Sequence, residues 1–200
     1  MFLRTILVLL FFGSAVSGKA QLNQVVFVGD SITYGCNWAA TLDNSNIVNQ
    51  GISGNTTRDI LARLDGVADP QAHVYFVMAG INDLIRGIPP DETVSNIRKI
   101  VLALRQASPE ADIVLQSILP VNSRIRPFPF KTSLVRDVNE ELRQIADVKN
   151  RVVFLDLYPS FLDNNGQLKN EFTYDGLHLS ASGYETWAVI LRREWFGKVK

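Results

Sequence analysis

A serine in one polar segment of the sequence, with a histidine and an aspartate in another, forms a combination that could transfer acyl groups. Ser31 comes directly after an apolar run and the turn residues Gly29 and Asp30, so its hydroxyl can lie exposed at the start of a helix. A serine hydroxyl is a poor nucleophile at neutral pH and needs an adjacent base. His178 can be that base, and Asp175, three residues earlier, can turn back onto the imidazole and fix its tautomer. These side chains predict acyl transfer through a serine.

The sequence positions of the other polar residues indicate which histidine is the base. They also indicate which groups can donate hydrogen bonds to a negatively charged oxygen. The sequence has two histidines, and His73 begins a strongly apolar run, which favours a structural role for it. A tetrahedral intermediate formed on Ser31 needs N–H donors for its negative oxygen. Ser31 can offer its own backbone N–H, Gly51 an unshielded backbone N–H, and Asn82 a side-chain amide. We therefore expect His178 as the base and these three donors as the oxyanion hole.

Two other readings of the same residues are weaker. A metal-dependent phosphoesterase would have to use Asp30, Asp83, Asp175 and His178 as ligands. The sequence has no paired H-x-H or D-x-H motif of the kind that two-metal chemistry uses, so we predict no metal and no cofactor. We expect Asp30 to brace the turn before a helix and Asp83 to brace the segment around Asn82. A glycan-binding module without activity would be expected to have lost the serine or the histidine, and both are present.

The composition excludes several classes of function. The chain has 200 residues, of which 46% are hydrophobic, enough to bury the core of one globular domain. Its 20 Lys and Arg residues equal its 20 Asp and Glu residues and form no basic run, which argues against a nucleic-acid partner. The single cysteine, Cys36, rules out an intramolecular disulfide and a thiolate zinc cage, and we expect it to be a small buried side chain.

Residues 1–20 have the pattern of a secretory signal peptide. A positive charge near the start is followed by an unbroken apolar run at residues 6–12, and Gly18 and Ala20 suit cleavage after residue 20. The apolar run is too short to cross a bilayer, which needs about 20 residues. We expect residues 21–200 to be one domain, exported to the periplasm or the cell exterior, with no stable membrane insertion.

Short apolar runs alternate with amphipathic segments along the rest of the chain. The apolar runs predict five strands, at residues 25–28, 47–48, 73–78, 113–115 and 152–155. Helical spacing predicts helices at residues 56–64, 91–107, 133–148 and from 180 to about 195. Uniformly apolar strands that alternate with helices predict an α/β fold with three layers, a parallel sheet covered by helices on both faces. The polar segments then meet at the carboxyl ends of the strands.

Four polar segments resemble the four sequence blocks of the SGNH/GDSL hydrolase superfamily. They are Gly29-Asp-Ser-Ile, Asn49-x-Gly-x-x-Gly-x-Thr56, Gly80-x-Asn-Asp83 and Asp175-x-x-His178, in the order of the family. Ile32 stands where the family's nickname has leucine, a change between two apolar residues. The resemblance implies a flavodoxin-like α/β/α fold and a metal-independent esterase or lipase. By the motif match, Ser31 is the nucleophile, Gly51 and Asn82 complete the oxyanion hole, and Asp175 and His178 complete the triad.

The sequence also suggests what kind of ester such an enzyme would accept. The chain is short and has few insertions that could roof a lipid tunnel, so we expect short acyl groups, acetyl above all, on a carbohydrate or another small-molecule ester. The alternative is a lysophospholipase or thioesterase for longer chains, whose groove could be lined by Ile85, Ile88, Phe128 and Phe130. Candidate substrate contacts are Arg124 and Arg126, in the irregular segment 119–130, and Trp38, for which packing is the commoner role. The oligomeric state stays open.

Overall fold

Five parallel strands form the centre of the molecule. The structure, a computed structural model, describes residues 24–197, and the predicted signal peptide lies outside the described residues. The strands are β1 (Gln24–Gly29), β2 (Ile47–Gly51), β3 (Ala72–Met78), β4 (Asp112–Gln116) and β5 (Val152–Leu155). Their order in the sheet is β2-β1-β3-β4-β5, and each neighbouring pair is parallel. The predicted strands and the α/β fold class are confirmed.

Helices follow the strands along the chain. In the part of the chain that the structure describes they are α1 (Ser31–Tyr34), α2 (Trp38–Thr41), α3 (Thr57–Ala62), α4 (Ile81–Ile85), α5 (Pro90–Ala107), α6 (Ser133–Arg143), α7 (Tyr158–Phe161) and α8 (Ala181–Leu191). The capping box predicted before α3 is present, because Thr56 Oγ1 accepts from the Asp59 N–H and the Asp59 carboxylate accepts from the Thr56 N–H. Ser180 caps α8 by accepting from the Gly183 N–H.

The prediction that α6 continues to residue 148 is wrong, because the helix ends at Arg143. Asp147 lies in extended backbone, and its carboxylate accepts hydrogen bonds from the backbone N–H groups of Lys149 and Asn150. These bonds form a tight turn, and Arg151 then adopts a φ of 58°. This local hydrogen bonding competes with continuation of the helix and directs the chain into β5.

The two faces of the sheet are covered by different helices. Phe27 and Phe76 are register neighbours on β1 and β3, and their rings stack with centroids 4.8 Å apart. Trp38 of α2 stacks on Phe27 at 4.5 Å, and Trp187 of α8 meets Trp38 edge-on at 4.6 Å, so α2 and α8 cover this face. Tyr75 points to the opposite face, as successive strand residues do, and its hydroxyl lies 2.8 Å from the hydroxyl of Ser108, the residue after α5. There α5 packs against α3 and α6.

Residues 117–122, directly after β4, are irregular but buried, so their backbone polar groups need partners within the protein. Asn139 of α6 accepts from the Ile118 N–H and donates to the Ile118 carbonyl, both at 2.8 Å. The Ser117 hydroxyl oxygen accepts from the backbone N–H groups of Leu157 and Tyr158. These side chains fix the path of the chain at the carboxyl end of β4.

Replacing Asn139 with leucine should reduce the free energy of unfolding by about 2–5 kcal/mol, because two buried backbone groups of Ile118 would lose their partners. Urea unfolding of the variant beside the wild type measures the change. Glu140→Leu, at the exposed next position of α6, serves as the control and should shift stability by less than about 0.5 kcal/mol. Equal effects of the two substitutions would contradict the role assigned to Asn139.

Candidate active site

The carboxyl ends of neighbouring strands bring the polar segments to one edge of the sheet. Gly29, the last residue of β1, is in register with Gly51 on β2 and with Met78 on β3. Ser31 begins α1 two residues after Gly29, and Asn82 lies in α4, shortly after β3. This is the edge at which ligands bind in open α/β sheets.

Ser31, His178 and Asp175 form one chain of hydrogen bonds. The Ser31 Oγ lies 3.0 Å from His178 Nε2, although the two residues are 147 positions apart in the sequence. His178 Nδ1 lies 2.7 Å from Asp175 Oδ2. The imidazole and the carboxylate are each about 30% exposed, so the chain of hydrogen bonds is accessible from solvent. The structure thus brings the three predicted triad residues together, with each ring nitrogen on one partner.

The carboxylate of Asp175 is held in place by its own loop. Its Oδ1 accepts from the backbone N–H of Leu177 at 3.0 Å and of His178 at 2.7 Å. Burial raises the pKa of Asp175, but the hydrogen bonds from His178 and from these backbone groups outweigh it and leave the pKa below the usual value. The group is therefore ionised at neutral pH, and an ionised carboxylate can orient an imidazole and stabilise its protonated form.

The three predicted oxyanion donors lie at this edge, but they are not equally free. The Asn82 amide nitrogen donates one hydrogen to the Asn55 carbonyl at 3.0 Å, which orients the amide and leaves its second hydrogen available. Ser31 is the first residue of α1, where a backbone N–H has no partner within the helix. The Gly51 N–H instead donates to Asn49 Oδ1 at 2.9 Å. A ligand oxygen has to compete with Asn49 for this donor.

The sequence did not indicate that Asn49 would connect β2 to the segment around α1. Its side-chain nitrogen lies within hydrogen-bond distance of the carbonyl oxygens of Thr33, Tyr34 and Cys36. A Cβ on Gly51 would lie 2.4 Å from the Tyr34 backbone nitrogen, so only glycine fits where β2 passes α1. The only signal for this role was the presence of Asn49 within the second polar block.

Asp83 acts as the expected brace. Its carboxylate accepts from the Thr57 backbone N–H at 2.9 Å and from the Thr57 hydroxyl at 2.5 Å, and Asn96 donates to the same hydroxyl. All three side chains are buried, and together they join α4, α3 and α5. This network fixes α4, and with it the Asn82 amide, relative to the sheet.

Residues 27–186 match the model of the GDSL-like Lipase/Acylhydrolase family, a range that includes all four polar blocks. The chain belongs to this family. It is 30% identical over 172 residues to platelet-activating factor acetylhydrolase IB subunit alpha1 of Bos taurus, covering 83% of this chain and 72% of the relative. The match supports an enzyme that hydrolyses esters.

Two solved structures are similar to this acylhydrolase over most of its length. One, from Streptococcus pneumonia, carries a provisional assignment as a platelet activating factor; it is 30% identical, with a TM-score of 0.80, over 90% of this chain and 86% of its own. The other is a catalytic mutant of Axe2, an acetylxylan esterase from Geobacillus stearothermophilus, with a TM-score of 0.71 and 22% identity over 88% of this chain and 95% of its own. These likenesses agree with the three-layer fold.

The two candidate arginines of the acylhydrolase lie in different surroundings. Arg126 Nη1 lies 3.8 Å from Asp175 Oδ2, and its guanidinium lies over the ring of Phe128, 5.3 Å from the centroid. Arg124 points away, with Nη1 3.7 Å from Asp163 Oδ2. Arg126 therefore reaches the edge of the site, and Arg124 is paired elsewhere on the surface.

Trp38 is not placed to contact a substrate, which corrects that prediction. The side chain is 1% exposed, stacks on Phe27, and donates its indole N–H to the Thr33 carbonyl at 2.9 Å. From its position close to Ser31 in the sequence, a large aromatic side chain could either contact the substrate or pack in the core. Burial of its apolar surface against the sheet favours the packing role. Cys36 is buried as expected.

Asp30 occupies the capping position expected from the sequence, before α1, and its pKa is raised. Its Oδ1 accepts from the Ile32 N–H at 2.9 Å, and the side chain is 1% exposed. Burial raises the pKa of Asp30 from 3.8 to about 7, although the hydrogen bond from Ile32 and the charge of His178 act in the opposite direction. Asp30 thus precedes Ser31 directly in the sequence without being hydrogen-bonded to it.

The described part of the acylhydrolase offers no cluster of side chains suited to a metal ion. Within residues 24–197, no three His, Cys, Asp or Glu side chains are placed to hold a metal ion together. None of the helices in the same residues is long and apolar enough to span a membrane.

Asp30→Asn should change how the stability of the enzyme depends on pH. Between about pH 4, where the unfolded carboxyl ionises, and about pH 7, where the folded one does, the native state holds one more proton, so the unfolding free energy falls as pH rises. Asparagine keeps an oxygen for the Ile32 N–H but does not titrate. From pH 5 to pH 8 the variant should therefore gain stability relative to the wild type, by on the order of 1–4 kcal/mol.

Urea unfolding at each pH measures this difference. Asp43→Asn, at an exposed position, is the control and should run parallel to the wild type. Parallel profiles for Asp30→Asn as well would contradict a raised pKa.

Proposed function

We propose that this acylhydrolase is a serine esterase that removes short acyl groups, acetyl above all, from a carbohydrate or a related polyol. The observation that carries the proposal is the hydrogen-bonded chain from Ser31 Oγ through His178 to Asp175, at 3.0 and 2.7 Å. A hydroxyl in contact with a base that is itself oriented by a carboxylate is the arrangement that activated serine nucleophiles use.

In the proposed mechanism, Ser31 Oγ attacks the ester carbonyl carbon while His178 Nε2 takes the hydroxyl proton. Asp175 stabilises the imidazolium that forms, since its ionised carboxylate lies 2.7 Å from Nδ1. The negative oxygen of the intermediate accepts hydrogen bonds from the Ser31 backbone N–H and the free hydrogen of the Asn82 amide. Collapse of the intermediate breaks the bond to the alcohol, which leaves with the proton from His178. Water activated by the same imidazole then hydrolyses the acyl-enzyme.

Packing supports short acyl groups over long ones. A long acyl chain would need an open apolar groove, and three of the four side chains considered for it pack against the core. Phe128 and Phe130 lie 5.7 Å apart and pack against the core, as does Ile85, and the Arg126 guanidinium covers the Phe128 ring. The names of two similar proteins, an acetylhydrolase and an acetylxylan esterase, point to acetyl as well. The pattern of residues 1–20 supports export as the setting of this activity.

Ser31→Ala should lower kcat/KM for p-nitrophenyl acetate by at least about 10³-fold, because the nucleophile is lost and only the binding and oxyanion groups remain. His178→Ala should cause a comparable loss. Asp175→Asn should cost less than His178→Ala, since the aspartate orients the base and does not transfer the proton. Initial rates measure all three, and circular dichroism with thermal melts checks the fold of each variant. Wild-type turnover by folded Ser31→Ala would overturn the mechanism.

The choice of acyl group is tested with p-nitrophenyl esters that differ only in chain length. We expect kcat/KM to be highest for the acetyl or propionyl ester and to fall by about tenfold or more at octanoyl, because Ile85, Phe128 and Phe130 pack against the core and do not line an open groove. A rate that increases steadily toward long chains would favour the lysophospholipase or thioesterase alternative.

A further inference from the structure

A cleft of about 450 Å³ lies between the turn that connects α1 to α2 and the start of α8. One wall comes from the turn, including Gly35 and Asn37, and reaches Thr41 at the end of α2. The other wall comes from the start of α8 and includes Leu179 and Glu185. The volume falls within the range of small-molecule sites, roughly 300–1,000 Å³.

The cleft continues the contact that joins the serine to the histidine. Ser31 is the first residue of α1 and Gly35 directly follows that helix, so the cleft begins one helical turn from the serine. Leu179, on the opposite wall, is the residue after His178. Tyr184 connects the two walls, because its hydroxyl, which also lies in the lining, donates to the Ile32 carbonyl at 2.9 Å.

Tyr174 presents an aromatic face next to the base. Its ring lies nearly parallel to the His178 imidazole, with centroids 6.0 Å apart and 14° between the planes, and the side chain is 70% exposed. Tyr174 also acts electrostatically on Tyr184 and contributes to its raised pKa, of which burial is the main cause. Tyr174 thus stacks on His178 and lies close enough to Tyr184, a residue of the cleft lining, to act on its charge.

The chemistry of the cleft suits a molecule rich in hydroxyl groups. The Asn37 side-chain oxygen caps α2 by accepting from the Ala40 N–H, while its amide nitrogen has no partner among the described residues. Thr41 offers a hydroxyl, and Glu185 offers a carboxylate, one oxygen of which accepts from Arg192. Donors and acceptors thus occur together, and the ring of Tyr174 adds a surface on which the C–H face of a sugar ring can pack.

The reaction determines which part of an ester would lie on this side. His178 Nε2 has to give its proton to the departing alcohol oxygen, so the alcohol portion lies beside the imidazole, whereas the carbonyl oxygen points to the Ser31 and Asn82 donors. An alcohol that extends from His178 along the adjoining Leu179 could therefore reach the cleft.

We propose that Tyr174 and the cleft between the α1–α2 turn and α8 form the binding site for the alcohol portion of the ester, and that this alcohol is a sugar. The assignment rests on the proposed esterase function and makes Tyr174 and Thr41 residues that determine specificity for the alcohol.

The test compares two acetyl esters that differ only in the alcohol, an acetylated xylo-oligosaccharide and ethyl acetate. Tyr174→Ala and Thr41→Val should each lower kcat/KM for the acetylated sugar by about tenfold, mainly through KM, and leave ethyl acetate within about twofold. Tyr174→Phe, which keeps the ring, should retain most of the sugar activity. Thr186→Val, also on α8 but outside the lining of the cleft, is the matched control and should change neither rate.

Several results would overturn the assignment. Equal losses on both esters would mean that Tyr174 supports His178 and does not bind the alcohol, and unchanged rates on both would place the alcohol elsewhere. Octyl acetate is measured as a third ester, and a loss by Tyr174→Ala on this ester alone, with the acetylated sugar unaffected, would show that the site takes an apolar alcohol. Failure of the proposed function looks different: full activity of Ser31→Ala on both esters, or a wild-type enzyme inert on both, would remove the function itself and this assignment with it.

Discussion

The packing of Trp38 between the sheet and α8 sets the distance of α8 from the sheet, and the contact between Ser31 and His178 depends on that distance. Ser31 is carried by β1 and α1, and His178 lies in the loop that leads into α8, so the two residues meet only if α8 is held at a fixed height above the sheet. Phe27, Trp38 and Trp187 supply that spacing, with ring centroids 4.5 and 4.6 Å apart. Close-packed aromatic rings resist compression. A 3.0 Å hydrogen bond between Ser31 and His178 can therefore form across 147 residues of sequence.

A second group of interactions holds the loops at the same edge of the sheet, and most of these are polar. Asp83 and Thr57 join α4 to α3, and Asn139 pairs with the backbone after β4. The Asn122 N–H donates at 2.8 Å to the carbonyl of Gly176, which lies between Asp175 and His178. Buried backbone at the end of a strand has no ladder partner, so side-chain amides and hydroxyls take that place. The apolar core fixes the helices, and these polar bonds fix the loops that connect them.

The sequence predicted the parts of this structure that depend on periodicity and on local chemistry. Five apolar runs and the capping box at Thr56 were sufficient to predict the strands and the start of α3, because each signal lies within a few residues. The triad residues could be named from the four polar blocks. Trp38 could not be assigned from its position, since only the tertiary packing distinguishes a core aromatic from a substrate contact. The bond between Gly51 and Asn49 and the parallel rings of Tyr174 and His178 depend on side-chain directions that no spacing rule supplies.

Because the Gly51 N–H is hydrogen-bonded to Asn49 Oδ1, it can distinguish the bound ester from the negatively charged intermediate. The amide oxygen of Asn49 is neutral, so an ester carbonyl, which is also neutral, gains little by displacing it in the bound substrate. An oxygen that has acquired negative charge accepts a stronger, charge-assisted bond and can displace the amide. Gly51 would then contribute little to substrate affinity and would join the Ser31 and Asn82 donors only as negative charge develops. That donor would stabilise the transition state without stabilising the bound substrate. Binding energy increases kcat under this condition.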